Sequence, residues 1–141
     1  MEFLKDSGNK GELFALLADS IRGYVREDGT YVYSTLEENV VCNAEGIDLS
    51  FVAPCNHEEA DTRIFLHLSD AVRVGHTAAL IRASDTDVVV LAVSCLSKLP
   101  TLKELWIQTG TGKHRYIAAH EISASLGKKG PTPIGIYDTD F

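Results

Sequence analysis

Two groups of acidic residues could carry chemistry in this sequence. Asp85 and Asp87 stand one residue apart in "SDTDVVVLAV", directly before an apolar run, and Glu59 and Asp61 lie upstream in "HEEADTR". Hard divalent cations such as Mg²⁺ are bound by carboxylate oxygens. Two such ions about 3.5–4 Å apart can stabilise the attacking and leaving oxygens of phosphodiester cleavage. A metal site of this kind needs carboxylates that converge from separate elements, and the two groups offer them.

The same residues also have a structural interpretation. Ser, Thr and Asp are favoured at helix N-caps, and an acidic residue in the first turn stabilises a helix by roughly 0.3–1 kcal/mol. Composition alone favours capping over a metal site. Both interpretations stay open at this point.

The apolar pattern predicts the elements that would position these residues. Helical spacing of apolar residues predicts one helix in "KGELFALLADSIRGYVRED" and another from His57 towards Gly75. The Val run of "TDVVVLAVSCLSKL" suggests a strand, but its length favours a buried helix capped by Ser84 or Asp85. A short helix is predicted at "AHEISASLG", and strands are predicted at "TYVYS", "NVVCN", "TAALIRA", "ELWIQTG" and "RYIA".

The order of these elements indicates an α/β fold. Helix, strand, helix and strand alternate from residue 57 onward, which predicts a mainly parallel sheet. Ligand sites in such sheets form at the carboxyl ends of the strands, and Asp85 and Asp87 directly follow a predicted strand. The length of 141 residues fits a single domain. We divide it into an amino-terminal part (1–54), a core motif region (55–127) and a loop-like tail (128–141).

Bulk composition limits the partners. The formal net charge of −7 argues against a protein that grips nucleic acid by broad positive charge, although metal ligands would contribute to that negative charge. The start of the chain lacks the apolar region of a secretory signal, and the longest apolar run, Val88 to Val93, is too short to span a membrane. These features predict an intracellular protein, nuclear or cytoplasmic, without a membrane partner.

The paired acidic motifs resemble a known family. "EADT" at 59–62, a strand, and "SDTDVVVLA" at 84–92 are similar to the flap endonuclease-like branch of the PIN-domain nucleases, including uncharacterised animal proteins with much longer chains. The resemblance covers roughly residues 55 to 120. It implies a Rossmann-like, three-layer sandwich with a mainly parallel central sheet.

The resemblance also implies an activity, namely Mg²⁺- or Mn²⁺-dependent hydrolysis of DNA or RNA by an endonuclease or exonuclease. Glu59, Asp61, Asp85 and Asp87 match the catalytic, metal-holding acids of the family, and Asp138 in "IYDTDF" matches a further acidic ligand. Metal bound there would lower the pKa of a water molecule and produce a hydroxide nucleophile.

One departure from the family pattern leads to an alternative. The first catalytic aspartate of the family lies on an amino-terminal strand, and "MEFLKDSGNKGELF" contains no match to it. The domain is therefore expected to be incomplete at its amino end, with other chains or the rest of a larger protein as partners. The alternative function is a catalytically silent PIN-like interaction or scaffold module, and a plain α/β domain with acidic caps is a third hypothesis.

Other candidate sites are weaker. "TGTGKHRY" at 109–116 lacks the Ser or Thr that follows the lysine of a phosphate-binding loop, so a hairpin turn is favoured. Lys113 and Arg115 in this stretch are candidate contacts to a nucleic-acid backbone, with a solvated turn as the favoured alternative. Cys42, Cys55 and His57 lack the Cys-x-x-Cys spacing of a typical zinc site.

Overall fold

The structure of the 141-residue chain is a computed structural model that describes residues 5–56, 60–110 and 114–127. The chain divides into two compact units, Met1–Glu58 and Glu59–Phe141, and each unit is described by itself. No helix in the described ranges is long and apolar enough to cross a membrane.

The first unit contains one helix and one hairpin. Helix α1 (Ser7–Arg22) begins where the Asp6 carboxylate accepts hydrogen bonds from the backbone N–H groups of Gly8 and Asn9, and it ends at Gly23. Strands β1 (Tyr33–Leu36) and β2 (Asn39–Cys42) pair antiparallel. Glu37 in the two-residue turn has a φ of 54°, as the primed turns of tight hairpins require. The predicted helix and both predicted strands are confirmed, although the helix stops before the predicted end.

The Asn43 side chain connects the loop after α1 to the end of β2. Its Oδ1 accepts a hydrogen bond from the Val32 N–H at 2.7 Å. Its Nδ2 donates to the carbonyl oxygens of Tyr24 at 3.0 Å and Thr30 at 3.2 Å. One amide therefore satisfies three backbone groups that lie outside regular structure. The buried apolar residues of this unit are Ala18, Val40, Val41, Val52 and Cys55.

The second unit has the predicted alternation of helices and strands. Its elements are α2 (Ala60–Arg73), β3 (Ala78–Arg82), α3 (Asp87–Cys95) with a following 3-10 turn (Leu96–Lys98), β4 (Glu104–Thr109), β5 (Arg115–Ala118) and α4 (Ala119–Gly127). The strands form a sheet in the order β3-β4-β5. The mixed α/β class expected from the sequence is confirmed.

The sheet is mixed rather than mainly parallel. Strands β3 and β4 are parallel because α3 carries the chain back across the sheet between them. Strands β4 and β5 are antiparallel, because only the residues from 110 to 114 connect them, too few for a parallel crossover. The sequence predicted both strands correctly, and the connection length decided their relative direction.

One face of this sheet carries the core. The register aligns Ile81, Ile107 and Ile117 across the three strands, and alternation along a strand places Leu105 on the same face as Ile107. The core of the unit consists of Phe65, Leu68, Ile81, Val88, Ala92, Leu102, Leu105, Ile107 and Ala119. Helices α2, α3 and α4 thus pack on one side of the sheet. On the opposite face, Leu80 and Tyr116 are 58% and 57% exposed.

Candidate metal centre at the end of strand β3

Asp85 and Asp87 lie at the carboxyl end of β3, as predicted from the sequence. The strand ends at Arg82, and the Ala83 N–H still donates to the Gln108 carbonyl oxygen at 3.1 Å, which extends the pairing with β4. The chain then turns into α3, and both aspartates are exposed on this turn. They therefore stand at the sheet edge where α/β proteins commonly bind ligands.

The Asp85 side chain caps α3. Its Oδ1 accepts a hydrogen bond from the Asp87 N–H at 3.0 Å, which satisfies one of the donors left free at a helix start. The neighbouring Thr86 makes no side-chain capping bond. The capping interpretation is therefore correct for this residue. It does not compete with cation binding, because a carboxylate has two oxygens and about four acceptor positions.

Core packing fixes the position of Asp87. This residue opens the first turn of α3, where the positive end of the helix dipole favours a negative charge. The next residue, Val88, is completely buried in the core of the second unit. Because Val88 anchors the start of the helix, the Asp87 backbone is held at the edge of the sheet.

The upstream acidic group is described only in part. Asp61 lies in the first turn of α2 and is half-buried, and Phe65, one turn later, is buried in the core. Glu59 and Asp138 lie outside the described residues, so their predicted roles as metal ligands stay predictions. Thus the structure confirms a helix start at the upstream motif and places Asp61 on it.

The described carboxylates do not form a large chelating group. Within residues 5–56, 60–110 and 114–127, no three His, Cys, Asp or Glu side chains are grouped so that they could hold a metal ion. Mg²⁺ commonly keeps several waters and binds through one or two carboxylates. The chemistry of the Asp85 and Asp87 pair fits such a hydrated ion, whereas the four-carboxylate arrangement implied by the resemblance is not seen in these ranges.

One of the two predicted phosphate contacts, Arg115, lies in this sheet. Arg115 is exposed at the start of β5 and pairs in register with Thr109 of β4. Lys113 lies outside the described residues, so its predicted role is untested. The antiparallel pairing of β4 with β5 agrees with the hairpin predicted for this stretch.

A buried ion pair on α2 was missed by the sequence analysis. Asp70 is 8% exposed, and it accepts hydrogen bonds from Arg73 Nη2 at 2.8 Å and Nε at 3.1 Å. The pKa of nearby His67 is lowered by burial, and the charge of Asp70 opposes this effect. The sequence could have indicated this ion pair, because an acid and a base three positions apart on a predicted helix lie on the same face. We assign this ion pair a structural role, because the Asp70 carboxylate accepts both bonds from Arg73 of the same helix.

Comparisons with known proteins add no family. No protein-family model, curated protein or solved structure matches the chain. The positions of the acidic residues relative to the strands and helices are therefore the basis for assigning a function.

Proposed function

We propose that this chain is a PIN-like domain that binds Mg²⁺ or Mn²⁺ at Asp85 and Asp87 and hydrolyses phosphodiester bonds of DNA or RNA. The observation that carries the proposal is the position of both aspartates on the turn from β3 into α3, at the carboxyl end of the strand. The order α2, β3, α3, with Asp61 in the first turn of α2, supports it because the resembling family has its acids in that order.

Each acidic residue has a specific task in this proposal. Asp85 uses one oxygen to cap α3 and has the other for the cation. Asp87 contributes a carboxylate held at the helix start, Asp61 adds negative charge from the first turn of α2, and Glu59 is proposed as a ligand from the sequence directly before that helix. Asp138 is proposed as a further ligand. When bound, the ion would lower the pKa of a water molecule and stabilise charge on the phosphate oxygens.

The proposal includes the finer fold. The parallel β3-α3-β4 unit with helices packed on one face of the sheet supports a PIN-like arrangement. The three-layer sandwich implied by the resemblance needs a second layer on the opposite face, which no described helix of this unit supplies, so the proposal is limited to the sheet and its one helical layer. The expected partners are nucleic acid as the substrate and further protein that completes the domain at its amino end.

A second candidate is a catalytically silent PIN-like interaction or scaffold module. The specific observation in its favour is that the described ranges contain no group of three metal-binding side chains. In such a module, Asp85 would serve as a helix cap only. The same experiment separates the two candidates.

The test measures thermal unfolding with and without Mn²⁺. A ligand that binds only the folded state adds about 2.7 kcal/mol at a hundred times its dissociation constant. We expect Mn²⁺ to stabilise the wild type but not Asp85→Asn/Asp87→Asn. Asp48→Asn is the matched control, because Asp48 makes the same capping-type bond to the Ser50 N–H, at 2.9 Å, in the other unit.

A second pair of variants separates capping from metal binding. In chelator, Asp85→Ala should lose about 1 kcal/mol of stability because the cap is removed, whereas Asp85→Asn should keep most of it. If Mn²⁺ gives the wild type no added stability, the aspartates are caps and the nuclease proposal fails. If Mn²⁺ stabilises the wild type alone, cleavage of flap, single-stranded and RNA substrates is measured next. Cleavage lost in Asp85→Asn supports the enzyme, and metal binding without cleavage supports the silent module.

A further inference from the structure

The face of the three-stranded sheet opposite the core has an unusual composition. Two rows of side chains cross this face in register. The row at the carboxyl end of β3 contains Arg82, Gln108 and Tyr116. The row two residues earlier along β3 contains Leu80, Trp106 and Ala118. We call this surface the open sheet face, and its residues are Leu80, Arg82, Trp106, Gln108, Tyr116 and Ala118. Two of the six are aromatic, and only Leu80 is a large aliphatic residue.

The two aromatic rings are accessible and held in place. Tyr116 is 57% exposed, and its hydroxyl oxygen accepts a hydrogen bond from Gln108 Nε2 at 3.3 Å. Trp106 is half-buried, and its Nε1 donates to Glu104 Oε2 at 3.2 Å. The ring of His120 meets the indole edge-on, with 5.3 Å between centroids. Stacking of a ligand on these rings would therefore cost little side-chain entropy of the protein.

The charge on the open sheet face changes from one end to the other. Arg82 is exposed at the carboxyl end of β3, and its side chain has no hydrogen bond or ion pair with any residue that the structure describes. Glu104 lies at the other end of the sheet, beside Trp106. The free guanidinium is thus at the same end as Asp85 and Asp87. An anionic ligand on the aromatic rings would be directed towards the candidate metal centre.

We propose that the open sheet face binds single-stranded nucleic acid, with unpaired bases stacked on Trp106 and Tyr116 and a phosphate paired with Arg82. Diagonal neighbours on adjacent strands are about 7–8 Å apart, so the two rings can take separate bases. Bases stack on aromatic side chains regardless of sequence. The inference that this face selects single strands as the substrate rests on the proposed function. The binding of single strands to the face does not depend on that function.

A protein partner fits this face less well. A helix or strand docked here would bury little aliphatic surface, because only Leu80 and Ala118 offer it, and it would bury the Arg82 guanidinium at a desolvation cost unless the partner supplied a carboxylate. An unpaired arginine and an amide in one row with a tyrosine suit a ligand that has both flat rings and negative charge. The charge and ring pattern therefore favours nucleic acid.

Intrinsic fluorescence gives a direct measurement, because Trp106 is the only tryptophan of the chain. Short oligothymidylate, oligouridylate and a blunt duplex are titrated into the full chain in chelator, so that no cleavage occurs. We expect single strands to quench the tryptophan and the duplex to quench it much less. Stacking contributes about 1–3 kcal/mol per base, so Tyr116→Ala should weaken single-strand binding about tenfold or more.

Matched variants separate stacking from general damage. Tyr116→Phe retains the ring and should bind nearly as well as the wild type. Tyr31→Ala removes a tyrosine of similar exposure, 56%, from the other unit and should change nothing. Thermal unfolding of each variant in the absence of oligonucleotide checks that the fold is intact.

The outcomes distinguish this proposal from the proposed function. If single strands bind, if their binding depends on Tyr116, and if Mn²⁺ does not stabilise the chain, the open sheet face proposal is supported and the metal centre proposal is overturned. If Mn²⁺ binds through the aspartates but single strands neither quench Trp106 nor respond to Tyr116→Ala, the open sheet face proposal is overturned. It is also overturned if sedimentation shows that the chain self-associates through Tyr116 without binding oligonucleotide.

Discussion

The Cys95 thiol lies half-buried at the end of α3, where its Sγ donates to the Ala92 carbonyl oxygen at 3.2 Å. Burial raises the pKa of this thiol to about 11. Thiolate is the reactive form, so at pH 8 only about one molecule in a thousand should be reactive at this position. We predict that iodoacetamide modifies Cys95 far more slowly in the folded chain than in denaturant, as measured by peptide mass mapping. Equal rates in the two conditions would show that the thiol is not protected.

His67 gives the stability of the chain a pH dependence. Burial lowers the pKa of this imidazole below its ordinary value of about 6.5, so the unfolded chain takes up the proton first as the pH falls. The contribution of His67 to stability is therefore complete above about pH 6.5 and is lost progressively below it. We predict that the free energy of unfolding decreases from pH 7 to pH 5 and that His67→Gln flattens this decrease.

The measurement is urea unfolding at several pH values for both proteins. His76→Gln is the control, because His76 is exposed in the turn after α2 and should leave the pH profile of the wild type unchanged. A His67→Gln profile as steep as that of the wild type would assign the pH dependence to other groups.

Single residues show why sequence alone could not decide the role of Asp85. Helix caps and metal sites use the same acidic residue types, and the capping bond from Asp87 N–H appears only when the turn is built. The Asn43 side chain illustrates the same limit, since its three backbone partners lie between 11 and 19 positions away. The distant partners of Asn43 have no local pattern that could have predicted them, whereas the Asp85 cap was one of the alternatives that the sequence left open.

At the scale of elements, periodicity predicted most of the structure. Alternation and β-branched residues identified β3, β4 and β5, and the length of the apolar run correctly favoured a helix for α3 over a strand. The sheet is mixed and not mainly parallel, because β5 pairs antiparallel with β4, as the hairpin predicted between these two strands implied. Helix α1 ends at Gly23 and not near Asp28. The helical spacing of apolar residues continues beyond Gly23 in the sequence, so this spacing alone predicted an end that is too late.

The two faces of the sheet should respond very differently to the same substitution. Leu105 is completely buried, whereas Leu80, on the neighbouring strand, is 58% exposed on the opposite face. Leu105→Ala should cost roughly 2–5 kcal/mol of stability because it leaves a cavity, and Leu80→Ala should change stability by less than about 0.5 kcal/mol. Urea unfolding of both variants checks this pair. A large loss for Leu80→Ala would mean that the open sheet face is covered in solution.

At the scale of the whole molecule, the net charge of −7 limits how nucleic acid is held. Single strands release counterions with a slope of roughly −0.7 in log affinity against log salt per neutralised phosphate. With Arg82 as the basic contact on the open sheet face, we predict a slope of about −0.7. Arg82→Ala should reduce it by about 0.7. A much steeper slope would require basic contacts from elsewhere in the chain.

The sequence predicted where three of the candidate ligands lie along the fold. Asp61, Asp85 and Asp87 stand at the predicted ends of predicted elements, whereas Glu59, Lys113 and Asp138 lie outside the described residues. Convergence of the acids depends on how separate elements pack, and the described ranges contain no three-ligand group. The position of each residue along the fold was predictable, but the distances between residues from different elements were not.

The separation of β3 from its partner has a consequence for synthesis on the ribosome. Ala78 pairs with Glu104, 26 positions later, whereas the β4 and β5 partners Thr109 and Arg115 are only 6 positions apart. Distant pairings close later than local ones, because more chain entropy is lost. The turn that contains Asp85 is therefore synthesised well before β4, the strand that pairs with β3. A nascent chain that pauses between these strands would carry the candidate ligands beside an unpaired strand, and the proposed metal centre would be complete only after β4 has emerged and docked.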